Sequence, residues 1–430
     1  MGQSGTLKRD ICGLIDERKS EVIKLCGDMI RIPSDNPPGD TTKLAGFLRE
    51  YLKERDISVR VYEPITGGPN LVATIEGKRK GPHLILNGHL DQFPAEVGER
   101  WSVDPYSGEV RDGRIYGRGA GDMKGGNTGL IFSFCLIKEL GLDLPGRITL
   151  TLVSDEENGG RWGTGWLVDN VEESIGDACL NAEPSGLTAR VGEKGLGFIR
   201  LKAAGKPVHA AYSGFAGDNA IMRMCRVLPA VQGLSGIPAR FTDETRRLID
   251  DAQEGFYKQS GHEGGPGSGQ VLRQVTVNIG VIKGGSKVNI IPGTCEVEVD
   301  VRLPLGIAWH QFEEILDNRL RDIDPTIKWE HIKHPSALFP ASFTSTNEDI
   351  FKAMQMNATE VMGKKPLLGF TPGGNDCRYY RARGIPAVVF GPTVHNEAAA
   401  DEYVLVDDLI TVTKVHVGTI IDYQSKHILN

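Results

Sequence analysis

The stretch HLILNGHLDQFP (83–94) decides how this chain is read. Its first half is almost continuously apolar, the pattern of a strand buried on both faces of a parallel sheet. Its end changes character at once, with Gly88, His89, Asp91 and Pro94 in close succession. RITLTLVSDEE (147–157) repeats the design, an apolar strand with an acidic end, and DACLNAE (177–183) gives a third copy. An apolar helix, LIFSFCLIKEL (130–140), lies between the first two, and VDNVEES after the second also reads as helix. Strands alternating with helices predict an α/β domain with a mostly parallel sheet.

Working outward, residues 7–32 and 42–55 read as amphipathic helices separated by the breaker cluster SDNPPGDTT. VRVYE (59–63) and NLVATIEG (70–77) read as strands. Near Glu193 the pattern changes. GFIRLKAAGK (197–206), VTVNIGVIKG (275–284), TCEVEVDVRL (294–303) and IKWEHI (327–332) alternate like half-exposed strands. Helices are expected over 219–234 and 308–320. The order strand-helix-strand-strand-helix-strand predicts an inserted α+β, ferredoxin-like domain over 193–340. It splits the α/β domain into 1–192 and 341–430. Residues 255–274, rich in Gly, Ser and Gln, read as a surface loop of the insert. Afterwards the α/β rhythm returns: the helix NEDIFKAMQMNATEVMG, the loop TPGGND, the strand AVVFGP and a last helix from 406.

Composition narrows the function classes. A chain of 430 residues with 40% hydrophobic and 24% charged residues is an ordinary globular sequence of two or three domains. The net charge of −7 gives no basic field for nucleic acid. No apolar run reaches the ~18 residues of a membrane span. Seven Cys, none in a C-x-x-C pair, argue against a disulfide framework or a Cys-type zinc site. The N-terminal MGQSGTLKRD carries no apolar signal region, so a cytoplasmic protein is expected.

Five segments carry chemistry at strand ends. They are NGHLDQFP with His89 and Asp91, GRGAGDMKGG with Asp122, SDEENGG with Asp155, Glu156 and Glu157, NAEPSG with Glu183, and FGPTVHNE with His395. In α/β sheets ligands bind beyond the carboxyl ends of the strands, where all five would meet. So many carboxylates at one place repel one another, and a divalent cation removes the conflict. Imidazole with carboxylate is a ligand set for zinc, manganese or cobalt. Two His and three carboxylates suffice for two ions sharing one carboxylate, as in paired-metal hydrolases. Taken singly, each element has a plainer reading. A strand-end Asp caps a helix or forms a turn, and DEE is a solvated acidic turn. GRGAGDMKGG fails as a phosphate loop, because Asp122 stands where the third Gly of G-x-G-x-x-G belongs. Five such ends in one alternating pattern are not explained that way.

The sequence resembles the M20 metallopeptidases over nearly its full length, insert included. The motifs are GHLDQFP, GRGAGDMKGG, SDEENGG, NAEPSG, GKPVHAAYSG, VNIIPGTCEVEVDVRLP, GGNDCRYY and FGPTVHNEAAADEYV. The resemblance implies two divalent metal ions per chain. His89, Asp122 and Glu183 would hold one; Asp122 would bridge to a second held by Glu157 and His395. Asp91 would orient His89 through its other ring nitrogen, and Glu156 would be the general base. A cis peptide after Asp122 is implied as well. His209 would reach the partner subunit's site and stabilise the oxyanion. Asn289 and Arg302 would hold substrate, and Gly374 and Arg378 would line a carboxylate pocket. For the two arginines a structural ion pair is the alternative.

The function so implied is hydrolysis of an amide C–N bond in a small, carboxylate-bearing N-acyl amino acid or short peptide, by a homodimer paired through the insert. One alternative keeps the scaffold and changes the bond, as in deamination of an amine-bearing aromatic acid. Trp162 and Trp166 could then meet an aromatic group, with core packing the plainer reading. A third is an inactive, metal-binding homologue, which should lack Glu156 or a ligand; all are present.

Overall fold

In the computed structural model the strand His83–His89 lies inside a nine-stranded sheet, between Arg147–Val153 and Ala178–Asn181, parallel to both. The structure describes residues 2–95, 98–259, 267–334 and 338–426. Six of the seven residues of His83–His89 are buried, as the apolar run requires. The sheet is mixed, with a parallel centre. Ala387–Val389 continues it in parallel beside Ala178–Asn181, while Val59–Tyr62 and Asn70–Glu76 are antiparallel at one edge. Helix Gly126–Glu139 packs under the sheet against the last helix, Val406–Lys426, and is buried nearly end to end. The stretch predicted as one helix over 7–32 forms two, Gly2–Glu17 and Lys19–Ile30, which meet at Arg18.

The insert forms its own antiparallel sheet in the order Thr276–Gly284, Thr294–Leu303, Gly195–Ala204, Lys328–His331. Alternate residues such as Ile199, Leu201, Val297 and Val299 face inward. Helices Ala220–Gln232 and Trp309–Ile323 cover that face with Met224, Val227, Phe312 and Leu316. Thr276–Gly284 is an edge strand, exposed over most of its length.

Two features depart from the sequence reading. The Gly-rich stretch before helix Gly126–Glu139 begins with a hairpin, Glu109–Arg111 and Arg114–Tyr116, which forms a small third sheet with Val394–His395 and Tyr403–Leu405. The second departure lies between the insert's first helix and its second strand. Helix Asp243–Gln259 and the turn Ser268–Leu272 leave the insert and pack on the main body. Helix Asp243–Gln259 places Leu248, Ile249 and Ala252 in the main core, where Leu272 joins them. A Cβ at Gly255 would overlap the carbonyl oxygen of Leu368, so the helix lies directly on strand Leu368–Thr371. Of the predicted loop 255–274, residues 260–266 lie outside the described residues; Ser268–Leu272 is a 3-10 turn.

Candidate metal centre

His89 ends its strand fully enclosed, 1% exposed, with carboxylates on both sides of the ring. Nε2 is 3.0 Å from Asp122 Oδ1 and 3.4 Å from Glu183 Oε1. One ligand atom from each of His89, Asp122 and Glu183 falls within 4.8 Å of the other two. The backbone supplies this convergence. Asp122 lies in an irregular turn after Gly119 and Gly121, and its peptide to Met123 is cis. A Cβ at Gly88 would overlap Asn127, whose amide donates to the His89 carbonyl. Only glycine lets the helix carrying Asn127 approach so closely.

The electrostatics ask for a cation. Burial pushes Glu183 up, and the charge of Asp122 adds to it. Burial first, then Asp122, raises Glu157 well above the usual carboxylate range. Burial lowers His89, but Asp122, Asp91 and Glu183 together raise it well above its ordinary value. Oε1 of Glu157 and Oε1 of Glu183 are buried without a hydrogen-bond partner. Buried acceptors rarely stay unpaired, and a divalent ion satisfies them. His89, Asp122 and Glu183 therefore fit one ion as they stand.

The second ligand set fits only in part. Glu157 and Asp122 face the same cavity, but His395 does not join them. Its ring stacks on Tyr403 at 4.4 Å between centroids. The reason is strand alternation: neighbouring side chains of Val394–His395 point to opposite faces. Val394 takes the inner face and packs so tightly on Gly121 that a Cβ there would overlap it. Glu397 lines the cavity instead. Desolvation raises its carboxyl to about 8, and Asp122 and Glu183 add to the shift.

Asp91 has a wider role than the sequence implies. The His89 ring meets the Asp91 backbone oxygen at 2.9 Å, and its carboxylate at only 3.5 Å. That carboxylate accepts the backbone N–H groups of Glu156 and Glu157 at 3.2 and 3.0 Å, and the Asn36 amide at 2.8 Å. Burial opposes its charge, yet these donors and His89 hold its pKa low. Asp91 thus anchors the turn that presents Glu156. Burial, then the charges of Glu183 and Asp376, raise Glu156; His89 and Arg378 oppose them.

Arg378 is buried, donates to the Gly159 carbonyl at 2.9 Å, and stands 3.8 Å from Glu156. It faces the base rather than open cavity. Arg302 is tied by two bonds, 2.8 and 2.9 Å, to Asp300, which is the ion-pair alternative. Gly374 lines the cavity. His209 and Asn289 are exposed on the insert, joined by an Ala210–Asn289 backbone bond, and do not line the cavity of this chain. Trp166 packs on Tyr62 in the core, and neither it nor Trp162 reaches the cavity.

Besides Glu397, three contributors went unread in the sequence. Glu402 accepts the Gly121 N–H at 3.0 Å and pairs with buried Arg118 at 3.0 Å, fixing the loop of Asp122. Glu402 belongs to the motif DEYV, so the signal was present. Arg190, a guanidinium within the buried strand Ala189–Glu193, lines the cavity beside Glu183 and Glu397. Its position inside an apolar run was the cue. Phe256, on helix Asp243–Gln259, lines the same cavity of about 580 Å³.

With strand ends, cis turn and ligand triad in place, the comparisons with known proteins agree. Residues 85–422 match Peptidase family M20/M25/M40. The chain belongs to this family and is a metal-dependent hydrolase. It is 27% identical to the N-formyl-4-amino-5-aminomethyl-2-methylpyrimidine deformylase of Bacillus subtilis, over 96% of each chain. It is 27% identical to the succinyl-diaminopimelate desuccinylase of Gluconacetobacter diazotrophicus, over 94% of this chain and 97% of the other. Its fold matches an M20 metallo-carboxypeptidase from Sulfolobus solfataricus with a TM-score of 0.77, at 21% identity over 94% and 99% of the chains. Among the described residues no helix is long and apolar enough to cross a membrane.

Proposed function

We propose that this protein hydrolyses the amide bond of a small N-acyl amino acid or related N-acyl amine, with Glu156 as general base. One observation carries the reading: Glu156, no member of the ligand cluster, opens onto the cavity beside Asp122 and Glu183. The deformylase and desuccinylase relatives, both named for removing an acyl group, support it. His89, Asp122 and Glu183 would hold a zinc, cobalt or manganese ion. Asp122 and Glu157 would hold a second, with Glu397, which lines the same cavity, completing the set. A bound divalent ion supplies Lewis acidity, polarising a carbonyl and acidifying water. Glu156 accepts the proton of the attacking water and returns it to the leaving nitrogen, so the products are a carboxylate and an amine. Asp91 holds Glu156 in place, and Arg378 keeps its carboxylate from swinging out. Arg190, the one cationic side chain among the described lining residues, would meet a substrate carboxylate. A screen of metal-loaded enzyme against N-formyl, N-acetyl and N-succinyl amines and dipeptides tests the reading. Release of free amine from one class supports it; no amine from any overturns it.

The insert is suited to pair two chains. Beside His209 it exposes Phe215 at 95% and Val288 at 98%, with Tyr212 and Met222 also open to solvent. Large exposed apolar groups next to an unpaired strand edge mark a surface that another copy covers. Pairing about a twofold axis would carry His209 to the partner's cavity, where it would stabilise the oxyanion. Mixing inactive His209→Ala with inactive Glu156→Ala then restores activity once subunits exchange, because one site of each heterodimer carries neither defect. Proven exchange with no recovery would place His209 in its own chain's site or outside catalysis.

A further inference from the structure

Helix Asp243–Gln259 and the turn Ser268–Leu272 form a described segment that interrupts the insert, packs on the main body and contributes to the cavity wall. Phe256 and Val271 from this segment line the cavity together with Phe93, which lies four residues beyond His89. The segment is held from both sides. Its helix is seated on strand Leu368–Thr371 through Gly255, Ile249 and Ala252. Its end is clamped by Lys194, buried where the insert leaves the sheet. Lys194 Nζ donates to the carbonyls of Val271 and Gln274 at 2.7 and 2.8 Å and to Thr276 Oγ1 at 3.1 Å. All three ammonium protons are thereby spent on ordering this short stretch. Phe256 and Val271 are thereby held in place.

The charged part of the lining is mostly negative. Asp122, Glu156, Glu157, Glu183 and Glu397 face the space, with Arg190 as the single cation among the described lining residues. Arg302 is paired with Asp300, Arg378 faces Glu156 and the Gly159 carbonyl, and neither lines the cavity. Apart from the metal ions, a second substrate carboxylate would meet no cationic side chain but Arg190 among the described lining residues. An apolar ring would find Phe93, Phe256 and Val271.

We propose that Phe256 and Val271, delivered by this segment, select substrates whose amine side carries an uncharged, ring-sized apolar group. This rests on the amide-hydrolase reading and deepens it by naming the substrate class. Burying a ring against such a wall is worth one to two powers of ten in kcat/KM.

The test uses full-length metal-loaded enzyme with three probes that share one acyl group: N-acetylphenylalanine, N-acetylglycine and N-acetylglutamate. The wild type should prefer the phenylalanine probe over each of the others by tenfold or more. Phe256→Ala and Val271→Ala should each shrink that preference several-fold, through KM rather than kcat. Phe256→Met, which keeps apolar bulk, should retain most of it and serves if the alanine variant unfolds. Binding of 3-phenylpropionate, which has no scissile bond, is monitored in parallel by calorimetry. If no probe is hydrolysed but 3-phenylpropionate binds and Phe256→Ala weakens it tenfold, the wall assignment stands and the amide reading falls. If amides are hydrolysed and the preference is absent, or survives all three variants, the wall assignment is overturned.

Discussion

Glu156→Gln should lose roughly 10²–10⁴ of kcat, the usual contribution of a positioned general base, and keep its metal. The amide is nearly isosteric, so the turn anchored by Asp91 survives. That turn is held through the backbone N–H groups of Glu156 and Glu157, which the substitution leaves in place. What is lost is the proton acceptor. Glu157→Gln removes a ligand instead, because its Oε1 is buried with no hydrogen-bond partner of its own. It should lose activity and metal together, falling towards one ion per chain. His395→Ala should keep the wild-type metal content, since its ring stacks on Tyr403. The check is elemental analysis of the three variants beside their kcat. Metal loss in Glu156→Gln equal to that in Glu157→Gln would mean the two roles are misassigned. Loss in His395→Ala would mean that the strand Val394–His395 turns over when metal binds.

The candidate cluster His89, Asp122 and Glu183 was legible in the sequence because each residue stands at or near the end of a strongly patterned segment. His89 and Glu183 close apolar runs, and burial of those runs brings their carboxyl ends to one edge of the sheet. The ferredoxin-like order of the insert was legible for the same reason: Thr294–Leu303 alternates without interruption. The face His395 takes was not legible, because its strand is two residues long, too short for alternation to show it. The chain fixes that choice at Gly121, which admits Val394 and turns His395 out. Asp91 was read through its side chain, while its distances show a backbone oxygen on His89 and a carboxylate on the Glu156–Glu157 turn. Helix Asp243–Gln259 was the largest omission. Leu248, Ile249, Ala252 and Gly255 mark a helical stripe in the sequence, but nothing local says which body that stripe covers. The same limit hid Phe256 and Arg190, whose roles exist only once distant segments share a cavity.

Stripping the metal should have an effect at least as large as losing Glu156. Without a cation the cluster holds three carboxylates around one imidazole, and burial with mutual repulsion raises Glu157 and Glu183. Without the ion the site loses its Lewis acid, and Glu156 alone cannot make water a sufficient nucleophile at neutral pH. Asp122→Ala, which takes the shared ligand from both sites, should reproduce the stripped state permanently. The wild-type loss should be reversible, because Arg118, Glu402 and Asn127 hold the Asp122 turn and the His89 carbonyl independently of any ion.

Metal dependence through the Asp122 cluster is tested most directly by measuring metal content and turnover in one sample through chelation and reconstitution. Turnover should fall in proportion to metal as EDTA removes it. It should then return when zinc, cobalt or manganese is added to wild type, and should not return in Asp122→Ala. Undiminished turnover from protein with no detectable metal would contradict a metal-dependent mechanism at this site.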